Sequence, residues 1–196
     1  MVHGARGLDE SARRAAARFE REGFATLAPD LLAGAAVPGS GLADRRAVAD
    51  LEAAAATLAQ RPDVDARRLA VVGFGPGGTL AFLLGCQSRR IGAVVDFYGP
   101  IVYDELSADR PVQPLEMALN LSAPLLAIFG EADGSIPLDH VRKMGEVLSQ
   151  FAKPHEILTL PGAGHGFADV QRDTYDPDAS ERAWSATTTF LREYLA

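Results

Sequence analysis

Two kinds of apolar run alternate along this chain. The first is short and dense: "RLAVVGF", "IGAVVDFYG", "PLLAIFG" and "HEILTL" lack the regular polar alternation of a half-solvated strand. The second is longer, with apolar residues spaced by three and four and charges between them, over Glu10–Glu22, Asp44–Gln60, Gly77–Gln87, Leu138–Phe151 and Ala179–Tyr194. Dense short runs mark strands buried on both faces, and the spaced runs mark amphipathic helices. "MVHG" is the end of a strand and "FATLA", Phe24–Ala28, a short one. A Pro/Gly-rich loop is expected over Pro29–Leu42, and an irregular covering segment with three prolines over Pro100–Ala123. The pattern predicts an α/β fold: a doubly wound, mainly parallel sheet of about six strands with helices on both faces. The 196 residues suffice for one such domain, residues 1–196.

In sheets of this kind ligands bind beyond the carboxyl ends of the strands. Chemistry is therefore expected in the loops that follow them. "AVVGFGPGGTLAFLLG", Ala70 to Gly85, leaves a strand, turns through Gly73, Gly75, Gly77 and Gly78, and enters a helix. That is the layout of a nucleophile elbow, G-x-S-x-G, whose middle residue is the nucleophile. Here the middle residue is Gly75, so the nucleophile position is vacant.

Two further strand ends carry an acid and a histidine. "PLLAIFG" leads into "EADGSIP" and "HEILTL" into "PGAGHGF". Asp133 alone is an ordinary turn residue, and His165 between glycines is equally a loop histidine. Their joint placement after the elbow, in the order elbow, acid, histidine, is the triad order of α/β-hydrolases. In that arrangement Asp133 holds one ring nitrogen of His165 and leaves the other to take or give a proton.

Composition narrows the partners. A net charge of −7 opposes nucleic-acid binding, and the paired arginines (Arg13-Arg14, Arg45-Arg46, Arg67-Arg68, Arg89-Arg90) lie among acids. No apolar run approaches the ~20 residues of a membrane span. The single cysteine, Cys86, fits a reducing cytoplasm. "MVHGARG" has neither a basic leader nor an apolar core of a signal peptide, so a cytoplasmic location is expected. His3, His140, His155 and His165 show no metal-ligand spacing.

Nearly the whole chain resembles the dienelactone hydrolase family. "VHGARGLDESARRAAARFEREGFATLAPDLL" is similar to that family's strand-helix-strand opening, and "VVGFGPGG" to its V-G-F-C-x-G-G elbow. "GEAD…IP" and "GAGHGF" resemble its acid and histidine loops, and "YDPDASERAWSATTTFL" its last helix. The resemblance implies an α/β-hydrolase fold acting on small lactones or related esters without metal or cofactor. It also implies that the strands usually preceding "VHG" are absent here. Phe24–Ala28 would then be an exposed sheet edge, open to a homodimer or to a segment of the same chain.

The departures from that family matter as much. Gly75 stands where the family has its cysteine nucleophile, and Gly4 where it has a glutamate that interacts with the thiol. Pro76 follows the nucleophile position and has no N–H to offer an oxyanion. Cys86, eleven residues past Gly75 on the same helix, reads as a packing residue. Thr79 faces the core, and Ser135 lies near Asp133 with no sign of activation. In "HGARG" the Ala5 N–H is the expected oxyanion donor. Arg6 either grips a substrate carboxylate or pairs with a nearby acid. Tyr98 and Phe167 follow strand ends and are either pocket wall or core. Three readings stay open: a non-covalent enzyme using a His165–Asp133 base on a small molecule, a retired site that binds a ligand or partner, and a hydrolase with a relocated nucleophile.

Overall fold

The computed structural model describes residues 1–33 and 43–196, so residues 34–42 of the expected Pro/Gly-rich loop lie outside it. Helix α1 (Glu10–Arg21) buries Ala12, Ala15 and Phe19, and Asp9 caps it by accepting the Ala12 N–H. Helix α2 (Asp44–Ala59) buries Ala47, Val48 and Leu51. Strand β1 (Leu69–Phe74) runs into α3 (Pro76–Gln87), which is buried almost all round. Then follow β2 (Ile91–Phe97), a 3-10 turn (Pro114–Asn120), β3 (Leu125–Gly130), α4 (Leu138–Gln150), β4 (His155–Leu160) and α5 (Pro177–Tyr194).

The four strands form one parallel sheet in the order β1-β2-β3-β4. β2 and β3 are its most deeply buried members, which is why they read as dense apolar runs, interrupted in β2 by the buried Asp96. Helices α2, α3 and α4 lie towards one face, and α5 packs on β2 and β3 from the other. Phe19 of α1 meets Trp184 of α5 with ring centroids 4.9 Å apart, which seats α1 beside α5.

Two of the six expected strands are not strands. Val2 forms one parallel bridge to Gly73 and no more. Residues 24–28 join no ladder among the described residues, although their sequence suits a strand. A strand is defined by the neighbour it bonds to. Among the described residues, the link from residues 24–28 towards Val2 is the Met1 amino group donating to the Leu27 carbonyl at 2.6 Å.

The irregular segment expected over residues 100–123 runs along α3, from its first turn, where the Thr79 hydroxyl donates to the Pro100 carbonyl, to its distal end. The Ser122 hydroxyl donates to the carbonyls of Gly85 and Ser88 at 3.2 and 3.1 Å. Gln113 exchanges two hydrogen bonds with the Tyr103 backbone, and the Tyr103 hydroxyl ties the segment to Asp44 of α2.

Helix α5 shields one face of the sheet, and its start depends on Asp176, whose carboxylate accepts the Ala179 N–H at 3.0 Å. Asp176→Ala is expected to lower stability by about 1 kcal/mol, the usual cost of a lost N-cap. Urea unfolding should show this as a lower midpoint at unchanged slope.

Candidate active site

Five segments meet at the carboxyl end of the sheet: the loops after β1, β2, β3 and β4, and the loop following Val2. Their centre is the turn at Gly75. With φ 54° and ψ −125°, it has a backbone conformation that favours glycine. A Cβ built there meets nothing within 4 Å, so open space lies above the turn. Gly77 has the opposite role. A Cβ there would lie 2.3 Å from the His3 carbonyl, so its bareness lets the His3–Gly7 loop settle against the helix start.

His165 faces that space. Its Nδ1 lies 2.8 Å from Asp133 Oδ2. The other oxygen of Asp133 accepts the N–H groups of Ser135 and Ile136 at 2.7 and 3.0 Å. The Asp133 side chain is wholly shielded while the His165 ring is 23% exposed. A carboxylate fixed by two backbone donors and receiving a ring N–H sets the imidazole tautomer, leaving Nε2 unprotonated towards the cavity. The Thr174 hydroxyl donates to the His165 carbonyl at 2.6 Å and steadies the loop from behind.

The cavity has a volume of about 190 Å³ and is lined by Gly75, Pro76, Ala5, Tyr98 and His165 before running between α1 and α5 to Trp184. Tyr98 adopts φ 44°, rare for a residue with a side chain, and its ring meets His165 edge-on at 5.4 Å. Burial, with the Asp169 charge added, pushes the Tyr98 phenol up, so it stays protonated and able to donate. Phe167 is fully buried and does not line the cavity. It packs edge-on behind Tyr98 at 5.2 Å, supporting that ring as core.

Arg6 lines the cavity but is committed to acids. It donates to Asp9 at 2.8 Å and to Asp169 at 2.6 Å. Partial burial works against the Asp169 charge. Hydrogen bonds from Ser11 and the Gln171 N–H, with Arg6 beside them, still hold its carboxyl below the usual range. Of the two roles open to Arg6, pairing with a nearby acid is the one the structure contains. Asp169, Arg172 and Trp184 belong to the cavity wall although no motif pointed to them.

The Ala5 N–H makes no hydrogen bond among the described residues and borders the cavity beside Gly4. His3, 3% exposed, anchors that loop. Its Nδ1 reaches the Gly4 carbonyl at 2.8 Å and its Nε2 accepts the Leu31 N–H at 3.0 Å. The other thiol and hydroxyls are placed elsewhere. Cys86 is buried at the distal end of α3, where burial pushes its thiol up to about 12. The Thr79 hydroxyl donates to the Pro100 carbonyl at 2.7 Å. Ser135 is exposed beyond Asp133 and does not line the cavity. Beneath the elbow, Asp96 is fully buried. Burial pushes its carboxyl well above the usual range against one hydrogen bond from the Gly99 N–H to Oδ1 at 2.7 Å, and its Oδ2 has no hydrogen-bond partner among the described residues.

A parallel sheet with a glycine-lined strand-to-helix turn, an acid loop and a histidine loop at its carboxyl end is α/β-hydrolase architecture. The model of the dienelactone hydrolase family matches residues 1–195, and the chain belongs to that family. It is 36% identical, over 79% of its own length and 62% of the relative's, to a probable 2-oxo-3-(5-oxofuran-2-ylidene)propanoate lactonase from a Bradyrhizobium species. It is 31% identical to a putative carboxymethylenebutenolidase of Escherichia coli K12, over 96% of this chain and 73% of that one. The chain thus spans less than two thirds of the lactonase and about three quarters of the second relative. The crystal structure of a putative dienelactone hydrolase from Klebsiella pneumoniae superposes with a TM-score of 0.91 at 29% identity, covering 98% of this chain and 85% of that one. Among the described residues, no helix is long and apolar enough to cross a membrane.

Proposed function

We propose that this chain hydrolyses a small lactone or ester without a covalent intermediate, using His165 and Asp133 as a general base on water. One observation carries the reading: an oriented, cavity-facing His165 Nε2 stands beside a turn whose residue, Gly75, has no side chain and open space above it. A water in that space gives its proton to Nε2 as its oxygen attacks the carbonyl carbon. The carbonyl electrons move onto oxygen, which the Ala5 N–H stabilises. As the tetrahedral adduct collapses, the C–O bond breaks and the imidazolium returns its proton to the leaving oxygen. Asp133 stays ionised throughout and stabilises the imidazolium. Related members named as a lactonase and as a carboxymethylenebutenolidase support a lactone as substrate class. The absence of an N–H at Pro76 favours a second reading, a retired site that retains ligand binding, because half of the expected oxyanion site is gone. The single buried cysteine supports a cytoplasmic setting.

The discriminating experiment is turnover of simple five-membered lactones and aryl esters by the natural chain and by Asp133→Asn. An amide in place of the carboxylate keeps the shape but sets the wrong imidazole tautomer, so turnover should fall by ~10⁴-fold on the precedent of triad enzymes. No turnover by the natural chain above background would favour the retired site, and equal rates above background would remove the His165–Asp133 pair from the mechanism.

A further inference from the structure

An oxyanion site of this architecture holds two donors, and here Pro76 stands where the second N–H belongs. Tyr98 is fixed beside that gap. The Gly75 N–H donates to the Phe97 carbonyl at 2.8 Å, so the elbow is bonded to the residue just before Tyr98. The Tyr98 N–H donates to the Ile128 carbonyl at 2.8 Å, and the Gly99 N–H to Asp96 Oδ1 at 2.7 Å. A Cβ on Gly99 would lie 2.4 Å from the Thr79 nitrogen, so this turn sits directly on the first turn of α3. Backbone strain such as the φ of 44° at Tyr98 persists only where the surroundings impose it. Here the ring so directed lines the cavity, edge-on to His165 and backed by Phe167.

The hydroxyl of that ring is unpaired. Tyr98 is 5% exposed, yet its hydroxyl makes no hydrogen bond among the described residues. Buried tyrosine hydroxyls normally find a partner. This one is not sealed in protein, as Asp96 Oδ2 is, and what it meets is the cavity. An unpaired donor on a cavity wall is available to a ligand oxygen.

We infer that the Tyr98 hydroxyl is the second oxyanion donor of this site, alongside the Ala5 N–H, a role that rests on hydrolysis by the His165–Asp133 base. As water attacks, the carbonyl π electrons pass to oxygen, which accepts hydrogen bonds from Tyr98 and Ala5. On collapse that pair returns to carbon and the ring or ester C–O bond breaks. The phenol keeps its proton throughout, because burial disfavours the phenolate. Water, unlike a side chain rooted at Gly75, does not tie the carbonyl to the Pro76 backbone, so the oxygen is free to turn to the hydroxyl.

The test compares Tyr98→Phe with the natural chain on an aryl ester and on its thionoester, which carries sulfur in place of the carbonyl oxygen. Phenylalanine keeps the ring against His165 and Phe167 and removes only the donor, so Tm should change little. The kcat for the oxygen ester should fall by ~10²–10³-fold with KM nearly unchanged, the usual cost of one oxyanion donor. Sulfur is a weak hydrogen-bond acceptor, so the thionoester rate should fall far less. A merely structural role would lower both rates alike. Equal losses on the two esters, or no loss, overturn the donor and leave the His165–Asp133 base standing. If the natural chain turns over neither ester, the base fails, and binding of benzylphosphonate, a tetrahedral anion, decides the hydroxyl. Tyr98→Phe should then bind it ~10–10²-fold more weakly, the usual worth of a hydrogen bond to a charged group. Equal affinity, or no binding by either protein, overturns the donor.

Discussion

His165→Ala is expected to reduce lactone or ester hydrolysis by ~10²–10⁴-fold, the usual span for a lost general base. Substrate binding should change little, so the loss should appear in kcat rather than KM. The ring is partly exposed and only one of its nitrogens is hydrogen-bonded, to Asp133, so the fold should survive its removal. Thiol-directed and serine-directed reagents should leave the natural chain fully active. Cys86 is buried with its thiol pushed up to about 12, and Thr79 is bonded to Pro100. Steady-state kinetics on both proteins, with and without each reagent, separate the base from any hidden nucleophile.

Gly75→Cys alone should restore little covalent esterase activity, although the thiol has room. The open space above the turn accepts a side chain, but φ 54° and ψ −125° make any side chain strained, at ~1–3 kcal/mol. The new thiol would still lack the carboxylate that Gly4 does not supply and the oxyanion donor that Pro76 cannot. Losing one such donor costs ~10²–10³-fold in kcat. A Cβ at Gly4 would sit 3.6 Å from the Phe74 carbonyl, an ordinary contact, so Gly4→Glu can be built. Combining Gly75→Cys with Gly4→Glu and Pro76→Ala should raise the rate by more than the product of the single effects, because such groups act as a unit. The assay is hydrolysis of a small activated ester by each variant, with folding checked by circular dichroism. If Gly75→Cys alone reaches the rate of the triple variant, the missing carboxylate and donor are irrelevant to this site.

Helix and strand positions were readable because burial writes a local signature. α1 shows its core face through Ala12, Ala15 and Phe19, and β3 shows two-sided burial through an unbroken apolar run. The His165–Asp133 pair was readable for a different reason: loops after neighbouring parallel strands must meet. Residues 24–28 misled because their composition suits a strand, but a strand also needs a bonded neighbour, and among the described residues they join no ladder. Phe167 and Tyr98 both follow strand ends, yet depth separates them, and depth depends on layers contributed from elsewhere in the chain. Arg6 pairs with Asp9 three residues on, as a nearby acid allows, but its second partner, Asp169, lies 163 residues away and could not be assigned in advance. Trp184 reaches the cavity only because α5 returns across the sheet beside α1.

The central claim is that the acid and histidine work at a turn that carries no nucleophile. It is tested most directly by rapid-quench intact-mass spectrometry during turnover of an aryl ester. The account predicts product release that is linear from the first turnover, with the protein mass unchanged at every time point. A burst of product matched by an acyl adduct on the chain would contradict it.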